Sequence, residues 1–577
     1  MTLIPRYSDA VILLVRFIEQ SNFVRYAGIS RPHQVIHEAS KMNNYLTTAA
    51  LSIFLLSGCG SNSSNPDISE NAPIDGSSDQ PLDPSDVELE SPSVPSQETP
   101  ISEDDQVEIS NPSIEPLGAI DLFTLATGSD RGFRIGSDNA VSATGDIDND
   151  GFADILVDRG RFGSFLIRGG SERIRGILNP DDGINLPPGT VNLNRNRQTQ
   201  QIGDFNGDGV SDIVGAFGDT ANMAEGAGGA FVIFGNPQGI DPFISISELR
   251  EGGLMEGAGF LVDGFIPNQS AGAFRGSAGD LNADGYDDLI TASRLTGQIR
   301  GNGITIIYGQ ATFPPVVQLS QIEANDGFLS IAGEFDQSVR GPNILENVFG
   351  PGDLNGDGVD DLVIVTRFTI LGGERDSIIT VLYGKPGEKL SLADFNDPIA
   401  EGDGFRYRTI NRNSTSGINN TRSAGDINGD GIVDLFVPIN GSPQIILGSA
   451  TPVSGDVVIE NLPNDRIRLF GEGGIDGGSL GDINGDGRDD FLVGFDSRTL
   501  LGYVLYDLFE TSDTLDVDNL LSQSGFEVSW SPDDPADGGT NRFISIQALG
   551  DIDGDGFNDV ALSTTQLDSI SVLYGGP

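Results

Sequence analysis

The apolar positions of this chain fall in short runs rather than at helical spacing. One set of runs follows an aspartate: DILV from Asp154, DIVGAF from Asp212, DLITA from Asp288, DLVIV from Asp361, DLFV from Asp434, DFLVGF from Asp490 and DVALS from Asp559. A second set usually ends in glycine: SFLIRGG (164–170), GAFVIFG (229–235), GITIIYG (303–309), IITVLYG (378–384), QIILG (444–448), GYVLY (502–506) and SISVLYGG (569–576). Runs of this length, rich in Val, Ile, Phe and Tyr and bounded by Gly and Asp, predict strands. No window carries a sustained 3.6-residue apolar period. A third recurring piece couples an amphipathic stretch to Gly-Phe. It occurs as ISISELREGG with Gly259-Phe260, VQLSQIEAND with Gly327-Phe328, LSLADF with Gly404-Phe405 and LDVDNLLSQS with Gly525-Phe526. One further copy, IDLFTLATGSDR with Gly132-Phe133, precedes all the others.

Each aspartate that opens a run of the first set closes a nine-residue motif, Asp-x-Asp/Asn-x-Asp-Gly-x-x-Asp. The motif occurs seven times, starting at Asp146, Asp204, Asp280, Asp353, Asp426, Asp482 and Asp551, with successive starts 58, 76, 73, 73, 56 and 69 residues apart. A unit therefore reads as strand, acidic loop, strand, strand and outer strand. Four strands in a repeat of this size predict propeller blades. The last unit stops after its third strand at Pro577, and the spare N-terminal piece at Ile120–Leu125 is expected to supply its missing outer strand, closing the ring. The expected fold is all-β, a seven-bladed β-propeller with calcium-binding hairpin loops, closed by an N-terminal strand and spanning residues 117–577.

The spacing also dictates the chemistry of the loops. Position 1 is Asp146, Asp204, Asp280, Asp353, Asp426, Asp482 or Asp551. Position 3 is Asp148, Asn206, Asn282, Asn355, Asn428, Asn484 or Asp553, and position 5 is Asp150, Asp208, Asp284, Asp357, Asp430, Asp486 or Asp555. These alternate positions put three side-chain oxygens on one side of a tight turn, which the Gly at position 6 permits. The backbone carbonyl of position 7 (Phe152, Val210, Tyr286, Val359, Ile432, Arg488, Phe557) can then face the same point. Position 9 (Asp154, Asp212, Asp288, Asp361, Asp434, Asp490, Asp559) closes the shell. An all-oxygen, multi-carboxylate set with no soft ligand suits Ca²⁺, up to seven ions, better than Mg²⁺, zinc or copper. The competing reading is an Asx-rich turn capped by its own side chains. An EF-hand is a poorer match, because its twelfth position needs Glu and here is Val157 in the first loop and Gly215 in the second.

The units resemble FG-GAP repeats, the blades of the integrin α-subunit propeller and of many bacterial surface proteins. Phe349-Gly350, just before the fourth loop, matches the FG, and Gly215-Ala216-Phe217 is the nearest copy of the GAP element. The resemblance implies a seven-bladed propeller with Ca²⁺ in hairpin loops on one face and partners engaged on the opposite face. Thr220–Gly228 and Phe335–Asn347 are candidate contact loops. The chain departs from integrin α in carrying an acidic loop in every unit and in lacking the later thigh-like domains.

Upstream of the repeats the sequence predicts no fold. Leu46–Leu56 is an apolar run of signal-peptide length, followed by Leu56-Ser57-Gly58-Cys59, which resembles a bacterial lipobox with Cys59 as the lipidated residue. The alternative is a buried cysteine after a short helix. Residues 1–58 are expected to be a signal peptide preceded by an extension from a misplaced start, since a start at Met42 leaves Lys41 outside the signal. Residues 59–116 read as a disordered tether rich in Ser and Pro. From Gly60 to Pro116 it holds 14 acidic residues and no Lys or Arg.

Composition narrows the function. The net charge of −53, with 85 Asp+Glu against 32 Lys+Arg, excludes a basic nucleic-acid surface. The single Cys excludes a disulfide scaffold. Both His, His33 and His37, precede Cys59, so Ser–His–Asp and Cys–His sites are excluded from the rest of the chain. The expected protein is a non-enzymatic, calcium-stabilised lipoprotein anchored in the bacterial envelope, at the outer membrane or cell surface, whose propeller binds a protein or glycan. The alternatives are a carbohydrate-active enzyme, a lyase or glycosidase using carboxylates, Tyr or Arg, and a structural component of an envelope complex.

Overall fold

The structure is a computed structural model. It describes the strands and their tight connections between Ile120 and Gly576. Residues 1–119 and several longer connections, among them 180–190, 218–227, 239–256, 331–343, 409–419 and 530–542, lie outside the described residues. The proposed signal, Cys59, the tether and most of the two candidate contact loops fall there. The chain divides into a unit over Met1–Val107 and a unit over Glu108–Pro577, and every described residue belongs to the second. No helix among the described residues is long and apolar enough to cross a membrane.

The fold is essentially all-β, and the described strands form seven sheets. Each acidic loop joins the first two strands of one sheet, so the sheets are numbered here by their loops. The second sheet is representative: Arg197–Gly203, Asp212–Phe217, Gly229–Ile233 and Gly259–Asp263 run antiparallel in chain order. The fourth repeats this order with Ile344–Gly352, Asp361–Thr369, Arg375–Leu382 and Gly404–Arg408.

A fifth strand often joins the edge in parallel, and it always comes from the next unit. Val316–Gln318, from the connection between the third and fourth strands of the third sheet, pairs with Gly259–Asp263 of the second. Gly455–Val458 of the fifth unit pairs in the same way with Gly404–Arg408 of the fourth. Such a strand covers an edge that would otherwise present unpaired backbone groups.

This pattern corrects the expected role of Ile120–Leu125. The outer strand of the seventh sheet is Gly132–Ile135, which runs antiparallel to Ile570–Leu573. Ile120–Asp121 instead pairs in parallel with Gly525–Ser529, at the edge of the sixth sheet. The N-terminal piece is thus one amphipathic connection plus one strand, divided between two sheets as in the internal units. Its Gly-Phe half, and not its Ile-Asp half, completes the last sheet.

The apolar runs are unbroken because both faces of each sheet are buried. In Asp361–Thr369, Leu362 and Ile364 enter a cluster with Leu281, Ile290 and Ile304 of the third sheet. Val363 and Val365, one residue out of phase, enter a cluster with Leu435, Val437 and Ile446 of the fifth. Period-two alternation thus divides one strand between two cores, so the run reads as continuously apolar. The cluster joining Phe133, Val572 and Ile552 to Ile155 and Ile167 does the same between the seventh and first sheets.

Candidate metal centres

The seven loops fold alike because the same side chains cap the same backbone groups. In the second loop, Asp204 at position 1 accepts from Asp208 N at 3.1 Å and from Gly209 N at 2.8 Å. Asn206 Oδ1 accepts from Asp208 N at 3.0 Å, and Asp208 Oδ1 accepts from Val210 N at 2.9 Å. The residue at position 2 is apolar and buried in every loop, from Ile147 and Phe205 to Ile552. It pins the loop to the core, position 3 is buried or half-buried beside it, and positions 4 to 6 are exposed.

Position 9 is the most deeply buried acid. Asp361 Oδ2 accepts from Leu354 N at 2.8 Å, and its Oδ1 accepts from Gly384 N at 3.0 Å, at the exit of the third strand. One carboxylate therefore ties the loop and two strands of the sheet together. The same pair of bonds recurs at Asp154, Asp212, Asp288, Asp434 and Asp559. Burial pushes these carboxyls up, to about 7 for Asp154, Asp288 and Asp559, and to about 8 for Asp212, Asp361, Asp434 and Asp490. The two backbone donors oppose the shift without cancelling it. Position 9 therefore has a structural role beside the ligand role expected for it.

Neighbouring loops are joined by a hydrogen bond that the motif alone did not announce. The N–H of position 8 in each loop donates to the position 1 carbonyl of the loop before it. The donors are Ser211 to Asp146, Asp287 to Asp204, Asp360 to Asp280, Val433 to Asp353, Asp489 to Asp426 and Asn558 to Asp482. Ala153 donates to Asp551, which returns the series to its start, and the seven bonds span 2.9–3.3 Å. The seven loops form a closed circuit. Three position 8 aspartates reinforce it: Asp287, Asp360 and Asp489 accept through Oδ2 from the N–H of Asp204, Asp280 and Asp426. A Gly stands before each loop, and the doubled Asp-Asp ends three motifs. Together these were the available sequence signal. A Cβ at Gly279 would lie 2.0 Å from Asp360 Oδ2, and one at Gly425 would lie 1.9 Å from Asp489 Oδ2.

Position 4 is left-handed in all seven loops, with φ of 69–78° at Gly207, Gly356, Gly429, Gly485 and Gly554, 54° at Asn149 and 55° at Ala283. Asn tolerates this region and Ala does not. Ala283→Gly is therefore expected to stabilise the chain by about 1 kcal/mol, read as a higher denaturation midpoint at constant m-value. An unchanged or lower midpoint would count against strain at this position.

The donor set fits a hard divalent cation. Asp146, Asp148 and Asp154 bring one carboxylate oxygen each within 4.8 Å of one another, as do Asp551, Asp553 and Asp555. Buried Asp148 Oδ1 has no hydrogen-bond partner, and burial raises the pKa of this carboxyl. A buried carboxylate oxygen without a donor is costly, and a bound cation would satisfy it. In the five remaining loops position 3 is Asn. There Asn206, Asn282, Asn428 and Asn484 each donate from Nδ2 to the position 5 carboxylate at 3.0 Å. Positions 1, 3, 5 and 9 with the position 7 carbonyl are the residues that would hold such a cation, which would neutralise charge and cross-link the loop.

No family model matches the chain. Part of it is similar to phosphatidylinositol-glycan-specific phospholipase D of Homo sapiens, with 26% identity over 218 residues, 35% of this chain and 23% of the human protein. The Mus musculus protein of the same name is 28% identical over 191 residues, 32% of this chain and 20% of the mouse protein. The chain thus spans less than a quarter of the length of these relatives. Among solved structures, the crystal structure of BBS1N in complex with ARL6DN, soaked with lead, aligns with 77% of this chain and 95% of that chain, at a TM-score of 0.34 and 8% identity.

Proposed function

We propose that residues 117–577 form a seven-bladed propeller of the FG-GAP type that binds Ca²⁺ in its loops and presents a rigid face to a protein or glycan partner. In this reading the chain is held at the bacterial envelope through a lipid on Cys59. The closed circuit of seven similar acidic loops carries the proposal: one repeated oxygen site per sheet, bonded side to side, is a scaffold that cations can rigidify as a unit. Each loop concentrates carboxylates that repel one another without a cation, so calcium would act mainly on stability. The acids placed by the motif are engaged in holding backbone and cation, and beyond Cys59 no His is available as a general base. Binding is accordingly favoured over catalysis. The matched relatives are named for a phospholipase activity, but they share under a quarter of their length with this chain, so that activity is treated as an outcome to test.

Two measurements on the full chain test the proposal. Equilibrium dialysis is expected to give several Ca²⁺ ions per chain with dissociation constants of roughly 0.1–1 mM. Binding to arrays of glycans and of envelope and surface proteins is expected to be retained in Ca²⁺ and lost after its removal. Absence of bound calcium would overturn the site assignment. Turnover of a glycan or of a glycan-linked phospholipid would replace recognition by catalysis.

A further inference from the structure

The loops are not equivalent, and the seventh contains a cation of its own. In the Asn-type loops the position 3 amide donates to the position 5 carboxylate, as from Asn206 to Asp208 at 3.0 Å. In the seventh loop position 3 is Asp553, which has no such donor, and Arg173 takes its place. Arg173 Nη2 donates to Asp555 Oδ2 at 2.5 Å, and its Nε donates to Asp553 Oδ2. The third nitrogen, Nη1, donates to the carbonyl of Asp130 at 3.2 Å. The guanidinium carbon lies 4.8 Å from the ring centroid of Tyr574, close enough for a cation–π contact. That ring is itself fixed, because Tyr574 Oη accepts from Ile174 N at 2.8 Å and donates to Ile174 O at 3.0 Å.

Arg173 reaches this loop from another unit. It follows the third strand of the first sheet, Ser164–Ile167, whereas Asp553 and Asp555 belong to the seventh. The Asp553 side chain is only 3% exposed, so solvent screens this pair weakly. The first loop makes the contrast. Arg168 Nη1 approaches Asp148 Oδ2 at 2.7 Å, but the buried Asp148 Oδ1 has no hydrogen-bond partner, so no protein donor competes there with a cation.

We propose that Arg173 is the built-in counter-cation of the seventh loop and competes with Ca²⁺ for Asp553 and Asp555. The inference rests on the calcium reading of the loops. It makes the seventh loop the weakest divalent site and the one that holds its shape without a divalent ion. It also places that loop at the seam where the N-terminal strand Gly132–Ile135 meets the C-terminal strand Ile570–Leu573, so the seam stays latched when calcium is scarce.

The test compares the full chain with Arg173→Gln, and with Arg173→Gln combined with Asp553→Asn, which restores the Asn-type pattern and its Nδ2 donor. Calcium binding is read by equilibrium dialysis, and the melting temperature is read after cation removal on a chelating resin. Arg173→Gln should tighten the weakest calcium site at least about tenfold, because one positive charge leaves it. It should also melt several degrees lower without cation, and the double variant should regain much of that loss. If the wild type binds calcium and the variants match it in ion count, affinity and cation-free melting, the Arg173 proposal falls and the calcium reading stands. If none of the proteins binds calcium, both fall. If Arg173→Gln alone does not fold, Arg173→Lys takes its place. Its single ammonium cannot hold Asp553 and Asp555 as the two-pronged guanidinium does, so it should bind calcium more tightly and melt lower without cation than the wild type. A match to the wild type in both overturns the proposal.

Discussion

Stripping calcium from the folded chain is expected to lower its melting temperature by roughly 8–19 °C. The size follows from mass action on repeated weak sites. With dissociation constants of roughly 0.1–1 mM, about 10 mM Ca²⁺ contributes about 1.4–2.7 kcal/mol per loop. Six or seven loops then give about 8–19 kcal/mol, if each acts independently. Unfolding a repeat region of roughly 460 residues carries an entropy of about 1 kcal/mol per degree, which converts the energy into the stated shift. The backbone hydrogen bond that every loop donates to the one before it couples neighbouring sites, so the calcium dependence should be steeper than this independent-site sum. Magnesium should restore less of the loss, since it demands near-octahedral geometry and dehydrates reluctantly. The check is calorimetry on resin-treated protein with calcium or magnesium returned. A calcium-dependent change of less than about 2 °C would mean the loops are merely self-capped turns.

The parts of the fold legible in the sequence were those encoded locally. The runs after Asp154, Asp361 and Asp490 are strands because β-branched and aromatic residues filled both faces. The turns of the loops were legible because Asp and Asn at alternate positions cap nearby backbone N–H groups and the Gly at position 6 takes a positive φ. What was hidden depended on the neighbour. Asp360 reads as a duplicate of Asp361, yet the two point to different sheets: Asp361 caps its own, and Asp360 caps the N–H of Asp280. Nothing local distinguishes Ile120–Asp121 from Gly132–Ile135 as the closing strand. Only the crossing of each connection onto the preceding sheet decides it. Arg173 lies 380 residues from its partner Asp553, and no pattern in its own unit marks it.

The sign of the pH dependence of stability is expected to reverse between the cation-free and the calcium-loaded protein. In the cation-free protein the position 9 carboxyls titrate far above their ordinary value of 3.8, near 7 for Asp154, Asp288 and Asp559 and near 8 for Asp212, Asp361, Asp434 and Asp490. Burial is the cause: ionising these groups places charge among buried strands and beside the other loop aspartates. Between about pH 4 and pH 8 the folded state thus holds more protons than the unfolded state, and its stability must fall as pH rises through that window. Self-repulsion of a chain with net charge −53 acts in the same direction. Calcium reverses the local balance. A divalent cation in the loop favours the charged carboxylates and drives their folded-state pKa values below the unfolded ones. Stability is then present above about pH 4 and lost only as acid displaces the ion. Melting curves from pH 5 to pH 9 should slope downward after resin treatment and be flat or rising in 10 mM Ca²⁺. A cation-free melting temperature that climbs with pH would show that the backbone donors of Leu354 and Gly384, and their counterparts in the other loops, outweigh burial at position 9.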